Sequence, residues 1–277
     1  MKKISASLDF KSQSDQSVLL EVALGSEPIL FGLWTFDVHL GKKTLSPAGK
    51  WTAICEHTER GCDYIEIELP LSGYYRLQRS LLVNHRDKVL LLTDTVLADE
   101  AQNTNASLSY SAKFFVSPKL CAKTFANTTE IDFRSAGRKT APVFRTLPLA
   151  LPEWKTTKPT GLVSGTLIET ESTLVLRQES AGKSLFVPLF FDLDPVRLDK
   201  RYTWRQLSVG ENLQRMREDQ AVGYRVQLGQ DQFLLYRSLT EKANRTVLGH
   251  NLMDDFCFAR FDPKTGVDPL IAVEVVE

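Results

Sequence analysis

The chain has 277 residues, of which 43% are apolar and 25% charged, and its 34 basic residues balance 34 acidic ones. This composition is ordinary for a globular protein that buries a full hydrophobic core. A net charge of zero excludes a general attraction to nucleic acid or to an anionic membrane. It also gives little electrostatic protection against self-association, which leaves a homo-oligomer open.

The N-terminal segment carries two lysines with no apolar run behind them, so no signal peptide is predicted. No stretch reaches the ~18 apolar residues of a transmembrane helix. The expectation is a soluble protein, cytoplasmic by default, or exported if the chain is part of a longer protein. The compartment itself is left open.

Alternating apolar and polar residues predict strands through the first part of the chain. They cover residues 4–10, 18–24, 29–40, 51–56, 64–69, 74–84, 88–96 and 106–116. The first should be an edge strand, and Gly32 predicts a bulge or a close backbone approach. The pair at 74–84 and 88–96 is the centre of the prediction. Leu91 and Leu92 point to opposite faces of one strand, and both are expected to be buried.

The same signals predict strands in the second part, at residues 120–125, 131–134, 143–149, 166–169, 173–178, 184–191, 222–228, 232–239, 246–248, 256–261 and 270–275. Pro188 predicts an edge position or a bulge for its strand. Residues 211–217 are the only stretch that favours a helical turn. Residues 151–165 contain two prolines, two glycines and few apolar residues, which predicts a long loop.

Many short strands without sustained helical periodicity predict an all-β protein. The expected architecture is a large antiparallel β-sandwich with little helix, of which the supersandwich with two large sheets is one form. The chain is interpreted as a single domain, residues 1–277, with the loop at 151–165 as the best internal boundary.

The sequence contains no recognisable catalytic or nucleotide-binding motif, and no catalytic residue or cofactor is assigned. Its four cysteines, Cys55, Cys62, Cys121 and Cys257, form no CxxC pair and favour buried free thiols. A Cys55–Cys62 bridge and a zinc site that includes His57 are the alternatives, although the spacing disfavours zinc and no metal is predicted.

Asp94 shares a strand face with apolar residues, where a carboxylate is costly unless it has a partner. Arg76 or Arg79 on the neighbouring strand would provide one. A structural ion pair is therefore the preferred interpretation, and a general base is the alternative.

Candidate ligand-binding residues are an exposed tryptophan and a set of C-terminal arginines. Trp154 lies in the predicted loop and would stack on the apolar face of a sugar, whereas Trp34 belongs to a core pattern. The guanidinium groups of Arg225, Arg237 and Arg245 would donate bidentate hydrogen bonds to the carboxylates or sulfates of an acidic polymer. His250 lies in a predicted turn nearby and is included. The alternative is that these arginines pair with Asp231, Glu241, Asp254 and Asp255.

The motif YRLQR at residues 75–79, followed by LLLTDTV at 90–96 and the strand at 106–116, resembles the C-terminal β-domain of heparinase II/III-like polysaccharide lyases. In that family an α/α-toroid supplies a catalytic tyrosine, and this sequence has no toroid. The histidine that the family's β-domain contributes has no clear match here, because His85 falls in a turn. Residues 235–239 and 243–249 resemble uncharacterised bacterial proteins of a planctomycete kind.

The resemblance implies a polysaccharide-associated β-sandwich without a self-sufficient active site. The expected function is a binding or structural module, with an acidic polysaccharide as the partner. Whether the chain is an enzyme is left open, with the balance against it. The alternatives are a polysaccharide lyase or epimerase, and a structural domain for protein interaction.

Overall fold

The structure is a computed structural model that describes residues 3–11, 17–99, 106–137, 142–157 and 161–274. Regular structure in these ranges consists of β-strands. No helix long and apolar enough to cross a membrane occurs in them. The prediction of an all-β protein with little helix is therefore confirmed.

Strands up to residue 192 form two large antiparallel sheets. They are β1 (Ile4–Asp9), β2 (Leu19–Leu24), β3 (Glu27–Leu40), β4 (Lys43–Thr44), β5 (Thr52–Glu59), β6 (Cys62–Leu71), β7 (Tyr75–Asn84), β8 (Val89–Ala98), β9 (Leu108–Val116), β10 (Leu120–Thr124), β11 (Ile131–Ser135), β12 (Pro142–Pro148), β13 (Val163–Thr170), β14 (Thr173–Ser180) and β15 (Leu185–Asp192). Sheet 1 has the order β1-β2-β3-β9-β14-β13, with β4 paired to β3. Sheet 2 has the order β10-β11-β12-β15-β8-β7-β6-β5.

Strands after residue 200 form two smaller sheets. They are β16 (Tyr202–Leu207), β17 (Val209–Glu211), β18 (Gln214–Arg215), β19 (Ala221–Leu228), β20 (Asp231–Ser238), β21 (Arg245–Val247), β22 (His250–Leu252), β23 (Phe256–Asp262) and β24 (Gly266–Val273). Sheet 3 has the order β16-β19-β20-β23-β24, and sheet 4 the order β18-β17-β21-β22.

Three apolar layers hold the four sheets in a stack. Leu92 of β8 belongs to the layer between sheets 1 and 2. Its neighbour Leu91 belongs to the layer between sheets 2 and 3, together with Phe190 and Tyr224. A third, smaller layer, which contains Tyr236, joins sheets 3 and 4. Sheet 2 is thus covered on both faces, as the double-sided apolar pattern of residues 88–96 predicts.

The β7–β8 hairpin lies in the interior of sheet 2 and carries a buried ion pair. Arg79 donates from Nε and Nη2 to the two carboxylate oxygens of Asp94, at 2.8 and 2.7 Å. The Tyr110 hydroxyl donates to the same carboxylate, and Arg79 Nη1 donates to the Trp34 carbonyl oxygen at 2.6 Å. Since Arg79 and Asp94 are both fully buried, the prediction of a structural pair is confirmed, with Arg79 as the partner.

Two further local predictions are confirmed in sheet 1. Strand β1 forms one edge of the sheet. Gly32 has a φ of +91°, and the pairing of β3 with β9 shifts register at this point. A Cβ on Gly32 would lie 3.2 Å from the ring of Phe115, so glycine allows that ring to rest on the backbone.

Two local predictions are wrong. Residues 211–217 form no helical turn; strands β17 and β18 pair across Asn212 and Leu213, which both have positive φ values of +49° and +63°. Pro188 lies in β15, an interior strand of sheet 2, rather than at an edge. Its carbonyl oxygen accepts a hydrogen bond from the Leu149 amide, just beyond the end of β12. The pairing of β12 with β15 ends at Leu189, so the N–H that proline lacks is not needed for that pairing.

Strands on both sides of the predicted loop at 151–165 pair with each other, β12 with β15 and β9 with β14. Residues 158–160 of that loop lie outside the described ranges. That residues 1–277 form a single domain stays a prediction.

Removing either leucine from the middle of β8 should destabilise the protein strongly. Leu91→Ala and Leu92→Ala each leave a cavity in a different apolar layer, and each should lower the free energy of unfolding by about 2–5 kcal/mol. Urea unfolding measures the effect, with the fully exposed Leu213→Ala as control. An unfolding midpoint unchanged in either β8 variant would show that sheet 2 is not covered on that face.

Candidate functional site

Two arginines lie side by side on the face of sheet 3 that points away from sheet 2. Trp204 of β16 and Tyr224 of β19 point into the layer against sheet 2, so their neighbours Arg205 and Arg225 point to the opposite face. Arg205 and Arg225 are direct cross-strand partners. Like charges in this position repel each other and destabilise the sheet.

The Arg225 guanidinium lies over the ring of Phe261, 5.6 Å from its centroid. Its Nε is buried and has no hydrogen-bond partner, and the same is true of Gln232 Oε1 on this face. Burial lowers the pKa of Arg225, and the charge of Arg205 lowers it further. Neither arginine has a carboxylate within ion-pair distance in the part of the chain that the structure describes. The pair is therefore a site of uncompensated positive charge.

His250 lies at the other side of Phe261. The two rings meet edge to face, with centroids 6.3 Å apart. His250 also packs on Gly266, where a Cβ would come within 2.5 Å of the imidazole Cε1. Arg205, Arg225, Phe261 and His250 thus form a row, which we call the outer arginine site. The sequence prediction named Arg225 and His250 and missed Arg205 and Phe261.

Trp154 borders the same face of sheet 3. Its side chain is 52% exposed, and it follows Glu153, whose carboxylate accepts a bond from the Thr203 hydroxyl at 2.5 Å. Thr203 lies two residues before Arg205 on the same side of β16. Trp34, Trp51 and Trp204 are buried, so among the four tryptophans Trp154 is the one placed to meet a ligand.

Arg237 lies on the inner side of sheet 3 and is buried. Its Nη2 lies 2.7 Å from Glu66 Oε1 and also donates to the side chain of Gln78, so it links sheet 3 to sheet 2. Burial acts to lower the pKa of Arg237, but the charges of Glu66 and Tyr64 and the hydrogen bond to Glu66 together raise it. Arg237 is therefore a structural cation, 3% exposed, in the wall of the cleft described below.

Arg245 is also buried and ties sheet 4 to sheet 3. It donates to Glu211 at 2.8 Å, to the Ser238 hydroxyl at 2.5 Å and to the Thr240 hydroxyl at 2.7 Å. Its partners differ from the nearby acids that the sequence suggested, although Glu241 contributes its carbonyl oxygen at 3.0 Å. Of the three predicted arginines, only Arg225 is placed where it faces outward.

A cleft of about 1190 Å³ opens between the ends of sheets 2 and 3. Its charged lining mixes both signs, with Arg76, Lys183, Arg217, Arg237 and Lys242 against Asp99, Asp219, Glu241 and Asp255. Pairs within the chain compensate much of this charge, for example Arg217 with Asp219 at 2.9 Å and Lys242 with Glu274 at 2.8 Å. The cleft has room for a ligand, but its charge favours neither an anion nor a cation.

The cysteines are free thiols, so the alternative of a Cys55–Cys62 bridge is wrong. Cys62 and Cys257 are buried, and burial raises the pKa of each thiol to about 12. Within the described ranges, no group of three or more histidines, cysteines or carboxylates is arranged to hold a metal ion.

Comparisons with known proteins give low similarities. No protein-family model matches the sequence, and no curated protein matches it. Among solved structures, a heparinase III covers 80% of this chain and 36% of its own, with 10% identity and a TM-score of 0.47. The heparan sulfate lyase HepC from Pedobacter heparinus covers 87% of this chain and 42% of its own, with 10% identity and a TM-score of 0.44.

These two structures are heparinase-type lyases, the class that the motif at residues 75–79 and 90–96 resembles. The chain spans less than half of the length of either one.

The buried and the outward arginines should differ in their effect on stability. Arg237→Ala leaves Glu66 as a buried carboxylate without its cation, which should lower the free energy of unfolding by about 3–5 kcal/mol. Arg205→Ala removes a repulsion on an exposed face and should change it by no more than about 0.5 kcal/mol, or raise it. Chemical denaturation compares the two variants. Equal destabilisation would contradict the different roles assigned to them.

The thiols should react in order of their exposure. At pH 8 a thiol with a pKa near 12 is almost fully protonated, so Cys62 and Cys257 should react with a disulfide reagent only after unfolding. Cys121 is exposed and should react at once. Counting released thiolate against time tests this, and Cys121→Ser should abolish the fast phase. A fast reaction of Cys62 or Cys257 in the folded protein would contradict the burial of the strand that carries it.

Proposed function

We propose that the protein is a binding module for an acidic polysaccharide, with the outer arginine site as its contact surface. The observation that carries the proposal is the cross-strand pair Arg205 and Arg225, which has no carboxylate within ion-pair distance among the described residues. Cross-strand neighbours have Cβ atoms about 5 Å apart, and the Arg225 guanidinium extends across β20 towards Phe261, so successive acidic groups of one polymer can contact the two arginines. Each guanidinium then donates charge-assisted hydrogen bonds to an acidic group of the ligand.

Aromatic side chains on the same face fit the sugar part of such a ligand. Phe261 holds the Arg225 guanidinium in place and so limits the entropy that binding would cost. Trp154 offers an exposed indole that can stack on the apolar face of a pyranose ring, and His250 adds a donor at the opposite end of the row. Arg237 and Arg245 act indirectly by holding β20 and β21 in position.

The chain is neutral overall, so attraction to a polyanion would come from a local group of cations such as this row. Exposed charges are screened over about 8 Å at physiological ionic strength. Affinity should therefore fall steeply as salt is added. No side chain is proposed to act in catalysis.

Titration with heparin, alginate and polygalacturonate at low and at physiological ionic strength tests the proposal. The parent should bind at least one of them at low salt. Arg205→Ala and Arg225→Ala should each weaken that binding at least tenfold, which corresponds to about 1.4 kcal/mol. Arg225→Lys should also weaken it, because lysine keeps the charge but loses the planar fork.

Arg177→Ala is the matched control, since it removes the same charge from β14 of sheet 1, at the other end of the stack. If Arg177→Ala weakened polymer binding as much as Arg205→Ala does, the assignment of the binding site to the outer arginine site would be contradicted. No binding to any of the three polymers at low salt would contradict the function. Release of unsaturated sugar, followed at 232 nm, would favour the lyase alternative instead.

A further inference from the structure

The cleft between the ends of sheets 2 and 3 is large and polar, and no residue of the outer arginine site lines it. Its volume of about 1190 Å³ is above the usual range for a small-molecule site, and such sites are lined mostly by apolar and aromatic side chains. Here the apolar lining residues are Leu97, Ala98 and Leu239, whereas the other described ones are charged or carry a hydroxyl or amide group. A ligand in this cleft therefore makes hydrogen bonds over most of its surface.

Both sides of the cleft carry positive and negative groups that compensate each other. On the side of sheet 3, Arg217 donates to the Asp219 carboxylate from Nε and Nη2, at 3.0 and 2.9 Å. On the side of sheet 2, Arg76 lies 3.6 Å from an oxygen of Glu68 and 3.8 Å from one of Asp99. An ionic ligand has to compete with these pairs. An uncharged ligand can instead use the N–H groups and lone pairs that each ion pair leaves over.

Polar side chains deep in the cleft are already held in position. Gln78 is 5% exposed, and its amide donates to Glu68 at 2.8 Å and accepts from Arg237. The Ser184 hydroxyl accepts a bond from the Ala98 amide at 3.3 Å, which leaves its own proton to donate. Arg237 Nε is buried and meets no acceptor among the described residues. Because these groups are fixed before a ligand arrives, little side-chain entropy is lost on binding.

We propose that the cleft binds an uncharged oligosaccharide. Sugar hydroxyls both donate and accept, so they match a lining in which guanidinium, amide, carboxylate and hydroxyl groups alternate. Ala98 and the accessible edges of Leu97 and Leu239 offer a small apolar area for the C–H face of a pyranose ring. A charged ligand gains little from a lining whose charges are paired. This distinguishes the cleft from the outer arginine site, and the proposal does not rest on the function proposed for that site.

Isothermal titration calorimetry with cellohexaose, maltohexaose, xylohexaose and mannohexaose tests the proposal. The parent should bind at least one of these neutral oligosaccharides. Its affinity should change by less than about twofold between low and physiological ionic strength, because the ligand carries no charge to be screened. Arg205→Ala should leave this binding unchanged, so the two sites are tested independently of each other.

Two variants in the lining should reduce the binding. Ala98→Trp puts a large ring into the cleft and should abolish it. Lys183→Ala removes an exposed ammonium group that has no ion pair within the described ranges, and should weaken binding about tenfold or more, as expected for a lost hydrogen bond to a charged group. The matched controls are Val196→Trp at an exposed position after β15 and Lys113→Ala on an exposed position of β9. Both should bind like the parent.

Circular dichroism checks that each variant keeps its fold, and Lys183→Ala carries the test if Ala98→Trp does not fold. A parent that binds none of the four oligosaccharides would overturn the proposal. So would an affinity that falls steeply with salt, which indicates an ionic ligand. Binding that Lys183→Ala and a folded Ala98→Trp leave unchanged, or that Arg205→Ala removes, would also overturn it, because the sugar would then bind outside the cleft.

Discussion

Sheet 2 is apolar on both faces, and the rest of the architecture follows from the need to cover both of them. A sheet with one apolar face is satisfied by a single partner layer, but the alternation of Leu90, Leu91 and Leu92 presents large side chains in both directions. Sheet 1 covers one side and sheet 3 the other. The C-terminal strands of sheet 3 therefore cover a face of sheet 2 that would otherwise expose Leu91 and Phe190 to water.

Two buried cations define how these layers meet. Arg79 crosses the first interface by binding Asp94 within its own sheet and the Trp34 carbonyl oxygen in sheet 1. Arg237 crosses the second interface from sheet 3 to Glu66 and Gln78 of sheet 2. A shift of either strand by one residue would turn its guanidinium to the wrong face and leave a carboxylate buried without its cation. These pairs thus fix the register of the stack more strictly than apolar contacts do.

The sequence predicted the strands of sheets 1 and 2 well, because their alternating patterns are long and local. It predicted the Asp94 pair for the same reason, since Arg79 follows in the neighbouring strand of one hairpin. The partners of Arg237 and of Arg260, which pairs with Asp87 at 2.5 Å, were not predictable in this way. Glu66 and Asp87 lie more than 170 residues earlier, and only the packing of sheet 3 on sheet 2 brings them together. Strand β16 was also missed, because its short alternation around Trp204 was obscured by the charged residues that follow.

Alternation within sheet 3 explains why two arginines of similar sequence context have different roles. Arg237 shares its side of β20 with Phe233 and Leu235, which face sheet 2, whereas Arg225 shares its side of β19 with Gly223. Sheet 4 approaches closely over Gly223, where a Cβ would lie 3.3 Å from Val247. Sheet 4 also reaches Phe261, because His250 of β22 meets that ring edge to face. Arg225 is only partly buried and Arg205 is exposed. The outer arginine site is therefore located where the cover of sheet 3 ends, which combines a rigid sheet beneath the arginines with access from solvent.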